Sequence, residues 1–223
     1  LMPIMFFRLA DHQLSRQLNA AGGNAQIFFA ISSKGQIKNT HFYGTLFIDE
    51  ITLSGLFDSY KQRNQLGFTF GSSVVDLPFE NLTAKIEYTK IYPFVYKHYV
   101  QTTDYESSKY SLGHWMGHNA DLIYASLNYR FLRGLQATLW GQYIRKGEDG
   151  NVQQQYNIQP QPPFLFGLRK NYSYLGVEIK YEHTHELFAK LNFQTTNSSI
   201  QQDDLSFIDK RLNEFYFSVY YGL

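Results

Sequence analysis

The chain has 223 residues, a formal net charge of +1 and no cysteine. This excludes a strong pull toward nucleic acid, disulfide staples and thiolate metal sites. Mean hydropathy is −0.35 and no apolar run approaches the roughly 18 residues of a transmembrane helix, but a membrane barrel escapes both tests because its strands alternate apolar and polar residues.

Residues 1–23 read as a loop or partial strand: Leu1 to Phe7 suit the end of an earlier strand, and Asp11 to Gly23 is polar. Leu1-Met2-Pro3 offers neither the basic start nor the apolar stretch of a signal peptide. The expectation is a chain that starts inside a longer protein. From there the sequence has a period of two. Strands are predicted over 24–33, 40–51, 63–75, 82–92, 120–131, 135–146, 172–182, 187–197 and 211–223. Leu175, Val177, Ile179 and Tyr181 share one face, and Tyr174, Gly176, Glu178, Lys180 and Glu182 share the other. Runs of this kind exceed the usual globular strand of about five or six residues and match the nine to eleven of a tilted membrane strand.

The connectors alternate in length. Ser33 to Gln36, Asp76 to Asn81, Leu132 to Gly134 and His183 to Glu186 are short. Leu53 to Gln62, Pro93 to Asn119, Gly147 to Asn171 and Asn197 to Lys210 are longer. Such alternation suits an outer-membrane barrel with extracellular loops near 93–119 and 147–171 and a periplasmic C-terminus. The last run carries Phe215, Phe217, Val219, Tyr221 and Leu223 on one face, as a closing strand would. Tyr88, Tyr129, Tyr143, Tyr181 and Tyr221 fall on apolar stripes near strand ends, where an interfacial aromatic girdle is expected. Nine spans are an odd number, so closure needs a tenth strand or a partner segment.

Few residues suggest chemistry. His114 and His118 are four apart with Asp121 nearby, but in a glycine-containing loop rather than a helix. His183 and His185 occupy a short turn. Asp49 and Glu50 are adjacent on a strand, and strict alternation sends them to opposite faces, so they do not flank one bond. Asp49, Lys85, Glu87, Arg130, Glu178 and Lys180 are expected to face a barrel lumen and to pair there. Tyr96, Tyr99, Tyr105, Tyr110, Trp115 and Tyr156 lie in the long connectors among polar residues. Flat rings with polar tips suit saccharide recognition, and the same residues suit a loop that folds in and plugs the barrel mouth. No phosphate loop, nucleophile elbow or basic-aromatic stripe is present, so no enzyme, no cofactor, no metal and no nucleic-acid partner is expected.

Several stretches resemble one family. Leu1 to Arg8 with His12-Gln13-Leu14 and Asn19-Ala20, Tyr43 to Glu50, and Leu112 to Gly117 with Asn119-Ala120-Asp121 and Leu127 to Arg130 are similar to the C-terminal half of the capsule assembly Wzi family as it occurs in Bacteroidetes. The resemblance implies half of an outer-membrane barrel of about eighteen strands, a size within the bacterial range. It also implies a non-enzymatic protein that binds or organises capsular polysaccharide. Its partners would be outer-membrane lipid and lipopolysaccharide, surface polysaccharide, and other outer-membrane subunits. A subunit of a secretion or uptake complex, or a plugged porin-like channel, is the alternative.

Overall fold

The structure, a computed structural model, describes residues 26–50, 64–98, 104–107 and 110–222. The expected loop or partial strand at 1–23 and the connector around 53–62 lie outside the described residues.

Nine strands form one antiparallel sheet, each hydrogen-bonded to the next long strand in the chain. They are β1 (Ile27–Lys34), β2 (Thr40–Glu50), β3 (Gln65–Val75), β4 (Leu82–Ile91), β7 (Ala120–Leu132), β8 (Leu135–Lys146), β9 (Lys170–Thr184), β10 (Leu187–Gln201) and β11 (Phe207–Tyr221). A two-residue pair, β5 (Glu106–Ser107) and β6 (Tyr110–Ser111), forms a separate ribbon within the connector between β4 and β7. All nine predicted spans are present. The last three strands outrun their predicted bounds: β9, β10 and β11 have 15 residues each. Asn197 to Lys210 is therefore mostly strand, with pairs such as Asn197↔Arg211 and Ser198↔Lys210, and the true connector is only 202–206. Polar composition suggested a loop there, but ladder hydrogen bonding does not depend on side-chain polarity. Gly147 to Asn171 likewise contains a short helix, α1 (Val152–Tyr156), started by a reciprocal pair in which Asn151 caps the Gln154 amide and Gln154 returns to the Asn151 amide.

Cross-strand register divides the residues cleanly. Tyr181, Leu135 and Ala189 are directly opposite one another, as are Val177, Leu139 and Phe193, so their side chains share a face. Followed across the sheet, that face holds Phe29, Phe42, Phe70, Ile86, Ile123, Leu127, Leu139, Leu175, Phe193, Phe215 and Phe217, every one exposed. The tyrosines at 88, 129, 143, 181 and 221 belong to the same face. Tyr129, Tyr181 and Tyr221 stand near the short-turn end, and Tyr88 and Tyr143 near the long-connector end. The opposite face is polar: it carries Thr45, Thr69, Thr89, Lys85, Glu87, Asn128, Thr138, Glu178, Lys180, Asn192 and Gln194.

Aromatic rings cover glycines on the polar face. A Cβ on Gly176 would lie 2.4 Å from the Trp140 ring, and one on Gly71 would lie 2.2 Å from Tyr43. Each ring fills the gap left by its cross-strand neighbour. Replacing Gly176 by Val would drive Trp140 from its place. The expected cost is about 1–3 kcal/mol, read as a lower midpoint in urea unfolding followed by tryptophan fluorescence.

The sheet is not closed among the described residues. With nine strands alternating in direction, β1 and β11 run the same way. These two edges therefore cannot pair antiparallel with each other.

Candidate functional site

The described parts of the 92–119 and 147–169 connectors collect at one end of the sheet and fold across its polar face. The strand ends that meet there supply Ile91, Ala120, Leu122 and Ile144, and the 92–119 connector supplies Val95, Tyr96 and Met116; together they form the buried core of the protein. Phe94 is 1% exposed and stacks on Phe166 of the second connector, with centroids 5.6 Å apart. The burial of these residues argues for a packed cap rather than open loops.

Two polar side chains fix the cap. Asp49 is buried at the end of β2. Its carboxylate accepts the Tyr96 amide at 2.9 Å and the Gln26 side-chain amide at 2.8 Å, and lies 3.3 Å from His98 Nε2. Asn119 is fully buried in a left-handed conformation, with φ +53. It donates to the carbonyls of Glu148 at 2.9 Å and Phe166 at 3.2 Å, and accepts the Leu165 amide at 2.7 Å. One asparagine thus ties the start of β7 to two points of the 147–169 connector. Asparagine tolerates this conformation better than most residues, and its amide supplies donors and an acceptor at once.

Glu50 corrects the sequence reading. A register shift between Ile48 and Glu50 breaks the alternation, so Glu50 faces Gln65. Glu50 and Asp49 consequently both meet the connectors: Tyr156 Oη and Gln155 Nε2 each lie 3.4 Å from Glu50 Oε2. A bulge places two successive residues against one on the neighbouring strand. Buried Gln155 and Gln65 and half-buried Gln161 continue this polar layer, with Gln161 donating to the Gln155 carbonyl at 2.8 Å. The glutamine-rich composition of the connector is legible in the sequence, but not that Gln155 alone among its glutamines would be buried.

The expected polar-face charges lie where register puts them. Lys85 pairs with Glu87 at 3.1 Å, and Tyr43 donates to the same Glu87. Lys180 pairs with Glu182 at 3.3 Å. Glu178 stands opposite Thr138 and Asn192, and Arg130 opposite Gln136. Asp121, by contrast, is on the apolar face at its long-connector edge, held by Arg145 at 2.5 Å and by Tyr88 Oη at 3.2 Å. It is not beside His118, which approaches Asp149 at 3.6 Å instead. Among the described residues no group of three His, Cys, Asp or Glu side chains is placed to hold a metal ion.

The aromatic candidates separate by exposure. Tyr96 is 8% exposed, its ring stacked on Tyr105 and its hydroxyl accepting the His114 amide at 3.2 Å. Tyr96 therefore packs the cap and is not open to solvent, though it borders the cavity beneath. Tyr105 packs against Phe47 as well, and Tyr156 is turned to Glu50. Tyr110 and Trp115 remain exposed at 79% and 65%. Tyr99 lies outside the described residues. Under the cap is a cavity of about 440 Å³, with Thr45, Thr69, Thr89, Phe47, Tyr105 and His114 in its wall. Thr69 and Thr89 hydroxyls are hydrogen-bonded at 2.8 Å. His114 Nδ1 accepts the Met116 amide at 3.3 Å, so the neutral ring carries its proton on Nε2. Hydroxyls beside rings can bind a polar ligand with apolar flanks. The sequence reading missed this cavity, because its threonines come from three strands.

No family model, no curated protein and no solved structure matches the chain. Fold and site define an all-β protein with one nine-stranded antiparallel sheet, apolar on one face and capped by connectors on the other.

Two predictions follow from the cap. Asp49→Ala leaves the buried Tyr96 amide without its acceptor, at an expected cost of about 1–3 kcal/mol; faster hydrogen exchange at Tyr96 would report it, and unchanged exchange would refute the role of Asp49. Burial holds the imidazoles of His114 and His118 below their ordinary value of 6.5, with Asp149 opposing the shift at His118. The folded cap favours neutral rings, so its stability is present above about pH 6.5 and declines as pH falls from there toward the folded-state values. Limited proteolysis of the 92–119 connector should be faster at about pH 5.5 than at about pH 7.5, and His118→Asn should reduce the difference.

Proposed function

We propose that the sheet is the wall of an outer-membrane β-barrel and that the protein is a non-enzymatic surface component that binds or organises surface polysaccharide. The observation that carries the first part is the exposed apolar face, which runs across all nine strands. Such a face is an aggregation hazard in water and a natural surface in lipid. β2 to β4 and β7 to β11 have 10 to 15 residues, long enough to cross at a tilt. The two sets of tyrosines toward opposite strand ends suit the two interfaces. In this reading the polar face lines the lumen, the capped end is extracellular and β11 ends in the periplasm. No helix among the described residues is long and apolar enough to cross a membrane, which says nothing of a barrel.

The saccharide part rests on the resemblance to the capsule assembly Wzi family, on exposed Tyr110 and Trp115, and on the hydroxyl- and ring-lined cavity beneath the cap. A closed cap argues against an open channel. A second reading, a subunit of a larger outer-membrane assembly, is favoured by one observation: β1 and β11 run in the same direction, so antiparallel closure needs strands from outside the described sheet.

Deleting the gene in the native host and assaying polysaccharide in cells and medium tests the reading. The expected result is polysaccharide moving from cells to medium with total synthesis unchanged. An unchanged distribution would remove the polysaccharide role. Fractionation of the wild-type protein away from the outer membrane would remove the barrel as well.

A further inference from the structure

The short-turn end of the sheet holds a second concavity, remote from the cap. It measures about 560 Å³ and lies between the turn joining β7 to β8 and the turn joining β9 to β10. Arg130, Arg133, Lys180, His183 and His185 line it, with Glu182 as the one carboxylate in the wall. The wall is firmly held. The Glu182 amide donates to the Gly134 carbonyl at 2.8 Å, and a Cβ on Gly134, at φ +86, would lie 2.2 Å from the Glu182 carbonyl oxygen. Only glycine lets the first turn approach β9 this closely.

The charge here is unbalanced. Glu182 is already engaged, 3.3 Å from Lys180 Nζ and 3.8 Å from His185 Nδ1. Neither guanidinium, of Arg130 or of Arg133, has an ion-pair partner among the described residues. Lys190 stands directly opposite Lys180 on the neighbouring strand. Lys190 is outside the wall of the pocket, but like charges placed opposite one another are destabilising, and an anion bound beside Lys180 and the arginines would lower that cost.

We propose that this pocket binds an anionic ligand through a phosphate group, the two arginines supplying planar forks that match phosphate oxygens. Its volume falls within the range of small-molecule sites, about 300–1,000 Å³, and exceeds what a bare phosphate fills. A phosphate carried on a sugar-sized body is therefore the better fit. The proposal does not depend on the membrane or polysaccharide readings.

The test is calorimetric titration of the purified, folded full chain in nonionic detergent at low salt, with glucose 1-phosphate, inorganic phosphate and glucose as probes. Glucose 1-phosphate is expected to bind and glucose to give no heat. The double variant R130Q/R133Q is expected to weaken binding by about tenfold or more, the loss of at least one charge-assisted hydrogen bond. E182Q is expected to tighten it, a gain that misfolding does not produce. Tighter binding of the ester than of inorganic phosphate assigns the pocket to a sugar-borne phosphate; equal binding assigns it to free phosphate. Absence of binding by either phosphate, or equal affinity in wild type and R130Q/R133Q, would overturn the proposal.

Discussion

The described structure rests on the antiparallel ladder and on the alternation of side chains along it, broken only near strand ends. Backbone hydrogen bonds join each long strand to the next from β1 to β11 without a crossover. Because residues directly opposite share a face, one choice of register propagates across the whole sheet, and a slip of one residue would exchange the two faces. The apolar and polar faces are therefore a single collective property. No strand could change its share alone.

That division explains why the buried core is small and lies at one end. The apolar face of the sheet is open, so it contributes little to burial in the isolated chain. The core forms instead where connectors return over the polar face and bring their own apolar residues, Phe94, Val95 and Met116. A connector packed on a polar surface must satisfy its backbone there, and buried amides without partners are costly. Asp49 and Asn119 meet that need at the two places where the connectors are anchored. The two faces thus have different tasks: one is a large surface for an apolar environment, and the other is a scaffold on which polar groups hold a cap, a cavity and, at the far end, a cationic pocket.

The same geometry bears on the proposed role. A cap packed this tightly suits a protein that presents a surface rather than one that conducts. Its exposed rings, Tyr110 and Trp115, are carried by a connector whose base is buried in the core. Among the described residues β1 and β11 are the edges of the sheet and run in the same direction, so in the proposed barrel a further strand must stand between them.

Local pattern alone was enough to place the nine strands, their antiparallel order and the two faces, and the alternation of short and long connectors as far as β9, but not the connector between β10 and β11, which is only 202–206. These follow from period-two patterning and local turn residues, which are properties of adjacent positions. Tyr181 and Lys180 could be assigned to opposite faces from the sequence row alone. Where Glu50 points is set by a bulge between neighbouring strands, which overrides alternation and leaves no mark on the local pattern. Tertiary packing likewise buries Tyr96 while leaving Trp115 open, and pairs Asp121 with Arg145 while His118 approaches Asp149. It also joined Arg130 and Arg133 to His183 and His185 in one pocket. Contacts of this kind join residues far apart in the chain, and their partners are selected by register, loop packing and burial, none of which a local pattern records.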